Sequence, residues 1–248
     1  MSQPVAFEVE LNTAMGPLRG RVAIDPSPMR LAELVPQALE LTDMLTARTA
    51  QAETREGREL SCAKGCAACC RQPVPLSIPE VFFVADLVAR LPDAMREPVL
   101  AGFRRAEAAL ERAGQIPVWL ASRYDEEAAL ALSLPYFRLG IPCPFLAREA
   151  CGVHPARPSR CREYGVTTPA TWCAVPEAHP VRVVPSQPMS AWLAQLTAEL
   201  TGTPVRLVPL TLALRWADDN RELGQRSWAG PELFAAFLRH LARPKPPG

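Results

Sequence analysis

The sequence has almost no net charge. Its 27 basic and 26 acidic side chains leave a formal charge of +1. No general electrostatic attraction therefore draws the chain to nucleic acid or to an anionic membrane surface. We expect no nucleic-acid partner.

Long apolar runs and a recognisable leader are also missing. No uncharged apolar stretch approaches the roughly 20 residues that span a bilayer, and even residues 205–217 are interrupted by Arg206, Pro209 and Arg215. The N-terminus carries Glu8 and Glu10 where a secretory signal would have a basic segment and an apolar run. We expect a cytoplasmic protein that does not associate with membranes.

The common catalytic signatures do not occur. The chain has no GxGxxG, no P-loop, no HExxH and no GxSxG motif, which argues against nucleotide binding, zinc-protease chemistry and serine hydrolysis. Cys66 and Cys69 have CxxC spacing, yet the strand–helix pattern of a thioredoxin-like fold is missing around them. A thiol oxidoreductase is therefore a weaker hypothesis for the function than a metal-binding protein.

Cysteine is the residue that the sequence concentrates. Four of the eight cysteines fall within residues 62–70, at Cys62, Cys66, Cys69 and Cys70. Thiols so close in sequence rarely meet the geometry of a disulfide, whereas several neighbouring sulfurs can converge on one metal. A helix would place them on one face, and a loop would gain freedom at Gly65. In a reducing cytosol such a cluster indicates metal ligands or a redox centre.

A second set of cysteines lies within residues 141–185, a stretch rich in Pro, Cys, Arg and Thr that shows little periodicity. Its members are Cys143, Cys151, Cys161 and Cys173. Such a stretch is typical of a loop that a bound metal organises.

Polar neighbours of the second set could assist a metal. Arg157, Arg160 and Arg162 surround Cys161, where their positive charge would favour thiolates. Salt bridges to Glu149 and Glu163 are the alternative use of these arginines. His154 follows Cys151 at a spacing that would also suit zinc, and its role is left open.

These motifs together resemble one known family. Cys62-x3-Cys66-x2-Cys69-Cys70, a Cys-Pro-Phe-Leu element at residues 143–146 and an Arg-Pro-x-x-Cys-Arg element at residues 157–162 are similar to the YkgJ-like cysteine-cluster family, described as candidate zinc- or iron-chelating proteins. The resemblance covers residues 62–173, under half of the chain. It implies that all eight cysteines are candidate ligands, namely Cys62, Cys66, Cys69, Cys70, Cys143, Cys151, Cys161 and Cys173.

Metal identity stays open between iron and zinc. Eight thiolates could form two four-thiolate zinc sites, two cubane iron–sulfur clusters or one multinuclear site. We expect iron or an iron–sulfur cluster, with zinc as the alternative, because adjacent Cys69 and Cys70 can serve two metal ions more readily than one tetrahedral zinc. Cys62, Cys66 and Cys69 also have the spacing of radical S-adenosylmethionine enzymes, but the alternating β/α pattern of their barrel is absent.

The resemblance implies metal binding more firmly than a reaction. One branch similar to the family is the flagellin lysine methylases, which look like iron–sulfur proteins acting on protein lysines. The enzyme class is thus open between a metal-dependent oxidoreductase and a protein-modifying transferase, and the chain need not be an enzyme. A protein partner or substrate is expected, and the oligomeric state is left open. The rival hypothesis is a zinc-stabilised binding module or metal-handling protein.

Hydrophobic periodicity predicts a mostly α protein with a small β element. Alternating apolar residues in 7–24 predict a hairpin, and Ser27 with Pro28 would begin a helix through Leu45. Ser77 and Glu80 resemble a capping box that opens a helix over 78–91, followed by another over 95–110. Residues 116–140 remain ambiguous because Pro135 should interrupt a helix.

The C-terminal third returns to helix. We expect one helix over 189–200 that ends at Gly202, a short strand over 205–208 and a last helix opened by Pro231.

The fold class expected is α+β, with helices around a cysteine-rich, metal-organised loop region. We expect one domain over residues 1–248. It comprises an N-terminal β-hairpin in 1–26, a metal-binding core in 62–173, C-terminal helices in 186–242 and a disordered tail in 243–248.

Overall fold

The described part of the chain is mostly helical, with four small antiparallel strand pairs between the helices. The structure is a computed structural model that describes residues 3–13, 16–121 and 126–242. Its α-helices are α1 (Leu31–Arg55), α2 (Ile78–Arg90), α3 (Asp93–Arg112), α4 (Ile116–Trp119), α5 (Glu126–Arg138), α6 (Ser159–Glu163), α7 (Met189–Thr201), α8 (Ala213–Asp219), α9 (Arg221–Gln225) and α10 (Gly230–Leu241). The mostly α class with a small β element is confirmed.

Among the described residues, the strands form pairs rather than a larger sheet. The pairs are β1 (Val5–Thr13) with β2 (Gly16–Ile24), β3 (Pro28–Arg30) with β8 (Ser227–Ala229), β4 (Pro75–Ser77) with β7 (Leu207–Pro209), and β5 (Leu146–Ala147) with β6 (Ala150–Cys151). Because β3 and β4 pair with strands far along the chain, they join the N-terminal and C-terminal thirds.

The predicted N-terminal hairpin is present. Leu11 pairs with Leu18 across β1 and β2, and both side chains are buried on one face, as the alternating sequence requires. Phe7 meets Phe234 of α10 edge to face, with ring centroids 5.1 Å apart. The hairpin therefore packs on the last helix, while residues 14 and 15 at its tip lie outside the described part of the chain.

The predicted start of α1 is wrong. The helix begins at Leu31, and Arg30 occupies the capping position, where its backbone N–H donates to Glu33 Oε2 at 2.7 Å. Pro28 belongs to β3, which pairs with β8 some 200 residues later in sequence. Gly230 makes this junction possible, since a Cβ there would lie 2.4 Å from the Asp25 carbonyl oxygen. A partner so distant in sequence leaves no local signal.

Other helix boundaries follow the sequence signals. The capping box of Ser77 and Glu80 opens α2, and α7 ends at Gly202 in the left-handed conformation, with φ of +68°. Pro231 lies in the first turn of α10. The predicted interruption at Pro135 is wrong, because α5 continues through it to Arg138.

A single hydrophobic cluster underlies the helices. It extends from Val9 in the hairpin through Leu34, Val84 and Leu193 to Leu241 of α10. In the described part of the chain, no helix is both long and apolar enough to cross a membrane. The tail that we predict to be disordered, residues 243–248, lies outside the described residues.

Candidate metal centre

The segment that contains the first four cysteines, residues 62–70, follows α1 in the chain. Hydrogen bonds just before it connect it to a loop that is distant in sequence. The Ser61 N–H donates to the Val166 carbonyl at 2.9 Å, and the Ser61 hydroxyl donates to the Thr168 carbonyl. Gly65 has a φ of +93°, in the left-handed region that favours glycine, so the chain turns there. Cys62 therefore lies beside residues 166–168, and the turn at Gly65 leads to Cys66.

Cys69 and Cys70 lie in a short 3₁₀ helix, Ala68–Arg71. The Cys143 N–H donates to the Cys70 carbonyl at 2.7 Å, a backbone link between the two cysteine sets. Arg71 donates to both carboxylate oxygens of Glu149, at 2.9 and 3.2 Å. These bonds fix the Cys69–Cys70 pair to the segment that begins at Cys143.

Glu149 belongs to the tight turn between β5 and β6. Arg148 and Glu149 both have positive φ, 50° and 55°, which is uncommon for residues with a Cβ. The turn reverses the chain so that Cys151 pairs with Leu146 across the hairpin. The ion pair with Arg71 therefore helps to hold a strained turn that positions Cys151.

Cys161 is placed by a buried hydrogen-bond network. Glu80, which is 0 % exposed, accepts from the Ser77 N–H at 2.9 Å through one oxygen and from the Ser159 N–H at 3.0 Å through the other. The Ser159 and Ser190 hydroxyls lie 2.9 Å apart. One carboxylate thus joins the starts of α2 and α6, and α6 carries Cys161 two residues after Ser159.

Cys173 lies in another 3₁₀ helix, Ala170–Ala174, which packs against the one that contains Cys69. Its residue is 4 % exposed, the least of the eight cysteines. Burial raises the pKa of its thiol, and the neighbouring thiols of Cys62, Cys66 and Cys69 raise that pKa further.

All eight predicted ligands line one cavity of about 1240 Å³. The structure thus brings together side chains that lie more than 100 residues apart in sequence. Among the described residues, however, no group of three or more His, Cys, Asp or Glu side chains has an arrangement that could hold a metal ion. Metal ligation by these cysteines remains a prediction.

The thiols of Cys69 and Cys70 form a hydrogen-bonded pair. The Cys70 thiol donates to Cys69 and lowers the pKa of Cys69 to about 7. Burial raises the pKa of Cys143 to about 12 and also raises the pKa of Cys161. The neighbouring thiols raise both pKa values further, because a thiolate on one cysteine repels a thiolate on the next. A bound cation would stabilise the thiolates against both burial and mutual repulsion. It would thereby deprotonate the thiols that coordinate it.

The arginines near Cys161 have different partners. Arg162 pairs with Asp43 of α1, and Arg160 lies 3.7 Å from Glu163. The alternative partner Glu149 is wrong, because its carboxylate pairs with Arg71. Within the described residues Arg157 forms no salt bridge, and its charge lowers the pKa of Cys69. Arg157 is therefore the arginine that is available to neutralise thiolates.

His154 lies on the cavity wall but is exposed, in the short 3₁₀ helix His154–Ala156.

The cavity extends beyond the cysteines to an apolar wall that the sequence analysis did not predict. The wall includes Trp119 at the end of α4 and Leu130, Leu134 and Phe137 of α5. Leu130 is 66 % exposed although it is a large apolar residue. The sequence did not predict this wall because the secondary structure of residues 116–140 was ambiguous. The signal that could have indicated it is the apolar content of α5.

The loop that follows Cys173 is tied to α1 by a buried carboxylate. Glu53 accepts from Arg58 at 2.5 Å and from Arg182 at 2.6 Å. The hydrogen bond from Arg182, followed by the one from Arg58, lowers the pKa of Glu53 to about 2. The ion pairs should stabilise the fold above the ordinary carboxyl pKa and be lost as the pH falls toward 2.

We expect Glu53→Gln to destabilise the protein at pH 7 and to weaken its acid sensitivity between about pH 4.5 and pH 2. Urea unfolding at several pH values measures both effects. Glu59→Gln is the matched control, since Glu59 is exposed and has no salt bridge among the described residues. An unchanged acid slope in Glu53→Gln would contradict this role.

Comparison with known proteins gives no match. No protein family, no curated protein and no solved structure matches the chain. The resemblance to the YkgJ-like family therefore rests on the cysteine motifs alone.

Proposed function

We propose that the chain is a cysteine-ligated metal-binding protein that holds iron, as an iron–sulfur cluster or as multinuclear iron, and supports redox or group-transfer chemistry there. The observation that carries the proposal is the single cavity lined by all eight cysteines. Eight thiols from several segments of one chain are unlike the scattered, separately buried cysteines of an ordinary core.

The donor set fits a soft metal. Thiolates select zinc, copper(I) and iron–sulfur clusters, whereas magnesium and calcium prefer oxygen. The adjacent pair Cys69–Cys70 favours more than one metal ion, and this favours iron over one tetrahedral zinc. We extend the proposal to membership of the YkgJ-like family, on the motifs given above, and to a cytoplasmic location, where thiols stay reduced.

The chain's own residues would serve such a centre in two ways. Arg157 would offset the negative charge of the thiolates, since its charge already favours ionised Cys69. The apolar wall of Trp119 and α5 would exclude water from one side of the cavity and contact a substrate or protein partner. When bound, an iron–sulfur centre supplies electron transfer or Lewis-acid chemistry.

The alternative is a zinc-stabilised binding module or metal-handling protein without catalysis. One observation favours it. The cysteines lie in loops, short 3₁₀ helices, a two-residue strand and the five-residue helix α6, which have little regular structure of their own. Metal binding contributes directly to folding in such segments.

Metal analysis of anaerobically purified protein distinguishes the iron proposal from the zinc alternative. The proposal predicts iron with acid-labile sulfide or bridging ligands, and a broad visible absorption that bleaches on reduction. The Cys70→Ser variant should lose metal and colour, whereas Ala63→Ser, which adds a hydroxyl to an exposed position in the same segment, should keep both. A colourless protein with stoichiometric zinc would defeat the iron proposal and support the alternative.

A further inference from the structure

The cavity that the cysteines line is larger than a metal centre needs. Its volume of about 1240 Å³ exceeds the roughly 300–1,000 Å³ of typical small-molecule pockets. A few metal and sulfide atoms beside the thiols would leave most of that space for a ligand. We infer that the cavity binds a small organic carboxylate with an apolar body, its carboxylate at Arg157 and its apolar body on the wall that includes Leu130 and Phe137. The inference rests on the proposed function, because this ligand would be the substrate of the metal site.

The charges on the cavity wall are unequal once their pairs are counted. Each of its two carboxylates, Glu149 and Glu163, lies within salt-bridge distance of an arginine. Lys64 and Arg157 lie on the same wall and form no salt bridge with any residue that the structure describes. The wall therefore presents two cations that have no carboxylate partner, and this charge balance favours an anionic ligand.

The backbone of Arg157 is fixed, which positions its side chain for a ligand. The Arg157 carbonyl accepts from Arg162 Nε at 2.9 Å, and the Pro155 carbonyl accepts from the same guanidinium. Arg162 in turn pairs with Asp43 of α1. Arg157 itself is half-buried, and its guanidinium makes no hydrogen bond within the described part of the chain. A guanidinium can bind a carboxylate through two parallel hydrogen bonds, and a fixed backbone lowers the entropy cost of ordering it.

The apolar wall is already held in place by α5. The Tyr136 hydroxyl lies 3.0 Å from the Thr211 hydroxyl oxygen, and the Tyr136 ring meets that of Trp119 edge to face. Leu130 and Phe137 of the same helix line the cavity, and Leu130 is 66 % exposed. An apolar ligand on this wall would remove the Leu130 side chain from water, which favours binding.

Calorimetric titration of anaerobically purified protein with two probes of one shape tests the inference. Naphthoate carries a carboxylate, and naphthalenemethanol has the same apolar body without the charge. Wild type should bind naphthoate about tenfold more tightly or better, because hydrogen bonds to a charged group are worth that much. Metal analysis and circular dichroism are run on every sample.

Four variants locate the site. Arg157→Gln should weaken naphthoate about tenfold and leave naphthalenemethanol nearly unchanged, and Lys64→Gln should act in the same direction. Leu130→Ser should weaken both probes, since it removes apolar surface from the wall. Arg104→Gln is the matched control, because Arg104 is exposed on α3 and does not line the cavity, and it should match wild type.

The failures of the inference and of the proposed function are distinguishable. Equal affinity for the two probes, or a folded Arg157→Gln that keeps the wild-type preference for naphthoate, overturns the inference. Iron-containing protein that binds neither probe also overturns it and leaves the proposed function intact. Naphthoate binding that depends on Arg157 in protein without metal would support the carboxylate site and defeat the proposed function.

Discussion

Replacing Glu80 by alanine is expected to lower the free energy of unfolding by about 2–6 kcal/mol, because two buried backbone N–H groups lose their acceptor at roughly 1–3 kcal/mol each. These donors are the amides of Ser77 and Ser159, at the starts of α2 and α6. Urea unfolding measures the loss. Since α6 carries Cys161, the proposed function predicts that the variant also retains less metal than wild type.

Two further variants control this prediction. Glu97→Ala, at an exposed position of α3, should change stability by less than about 0.5 kcal/mol. Glu80→Gln keeps one acceptor oxygen and should fall between Glu80→Ala and wild type. If Glu80→Ala were as stable as Glu97→Ala, the carboxylate would not join α2 to α6 in solution.

If the protein holds the proposed metal, removing that metal is expected to release the cysteine segments while the helical core persists. Structural thiolate sites contribute about 10–16 kcal/mol of binding free energy in zinc-finger peptides. Chelation should therefore lower the free energy of local unfolding of the cysteine segments by several kcal/mol. Backbone amides in residues 61–72 and 141–174 should exchange with deuterium faster after anaerobic chelation. Amides of α2 and α7, whose core residues Val84 and Leu193 are fully buried, should stay protected.

Hydrogen exchange followed by mass spectrometry measures this contrast within one molecule. The core helices serve as the internal control. Equal protection of the cysteine segments with and without chelator would mean that no metal supports them.

Much of the helical framework was predictable because its signals are local. The capping box of Ser77 and Glu80 and the stop at Gly202 act within a few residues of the helix ends that they define. The hairpin followed from the alternation of apolar and polar residues, since one of its faces is buried. In these places neighbouring residues determine the backbone.

Features that depend on distant partners were not predictable. β3 forms because β8 lies beside it, and the pairing displaced the expected helix start from Ser27 to Leu31. Glu80 was recognised as a capping residue, but its second oxygen binds Ser159, which no local pattern reveals. Likewise the arginine that pairs with Glu149 is Arg71, from the other cysteine segment.

The candidate site likewise has features that local sequence predicted and features that depend on distant partners. Clustering identified the eight cysteines as a set, but no local pattern revealed the hydrogen bond from the Cys143 N–H to the Cys70 carbonyl that joins the two cysteine segments. The apolar wall of α5 was hidden for a related reason. Pro135 predicted a break in a helix whose residues line the cavity.

X-ray absorption at the edge of the bound metal tests the central claim most directly. If the cysteines hold the metal, the first coordination shell is sulfur at about 2.3 Å, and Cys70→Ser or Cys143→Ser reduces the metal bound. A shell of nitrogen and oxygen alone, or freshly purified protein with eight free thiols and no metal, would contradict the account.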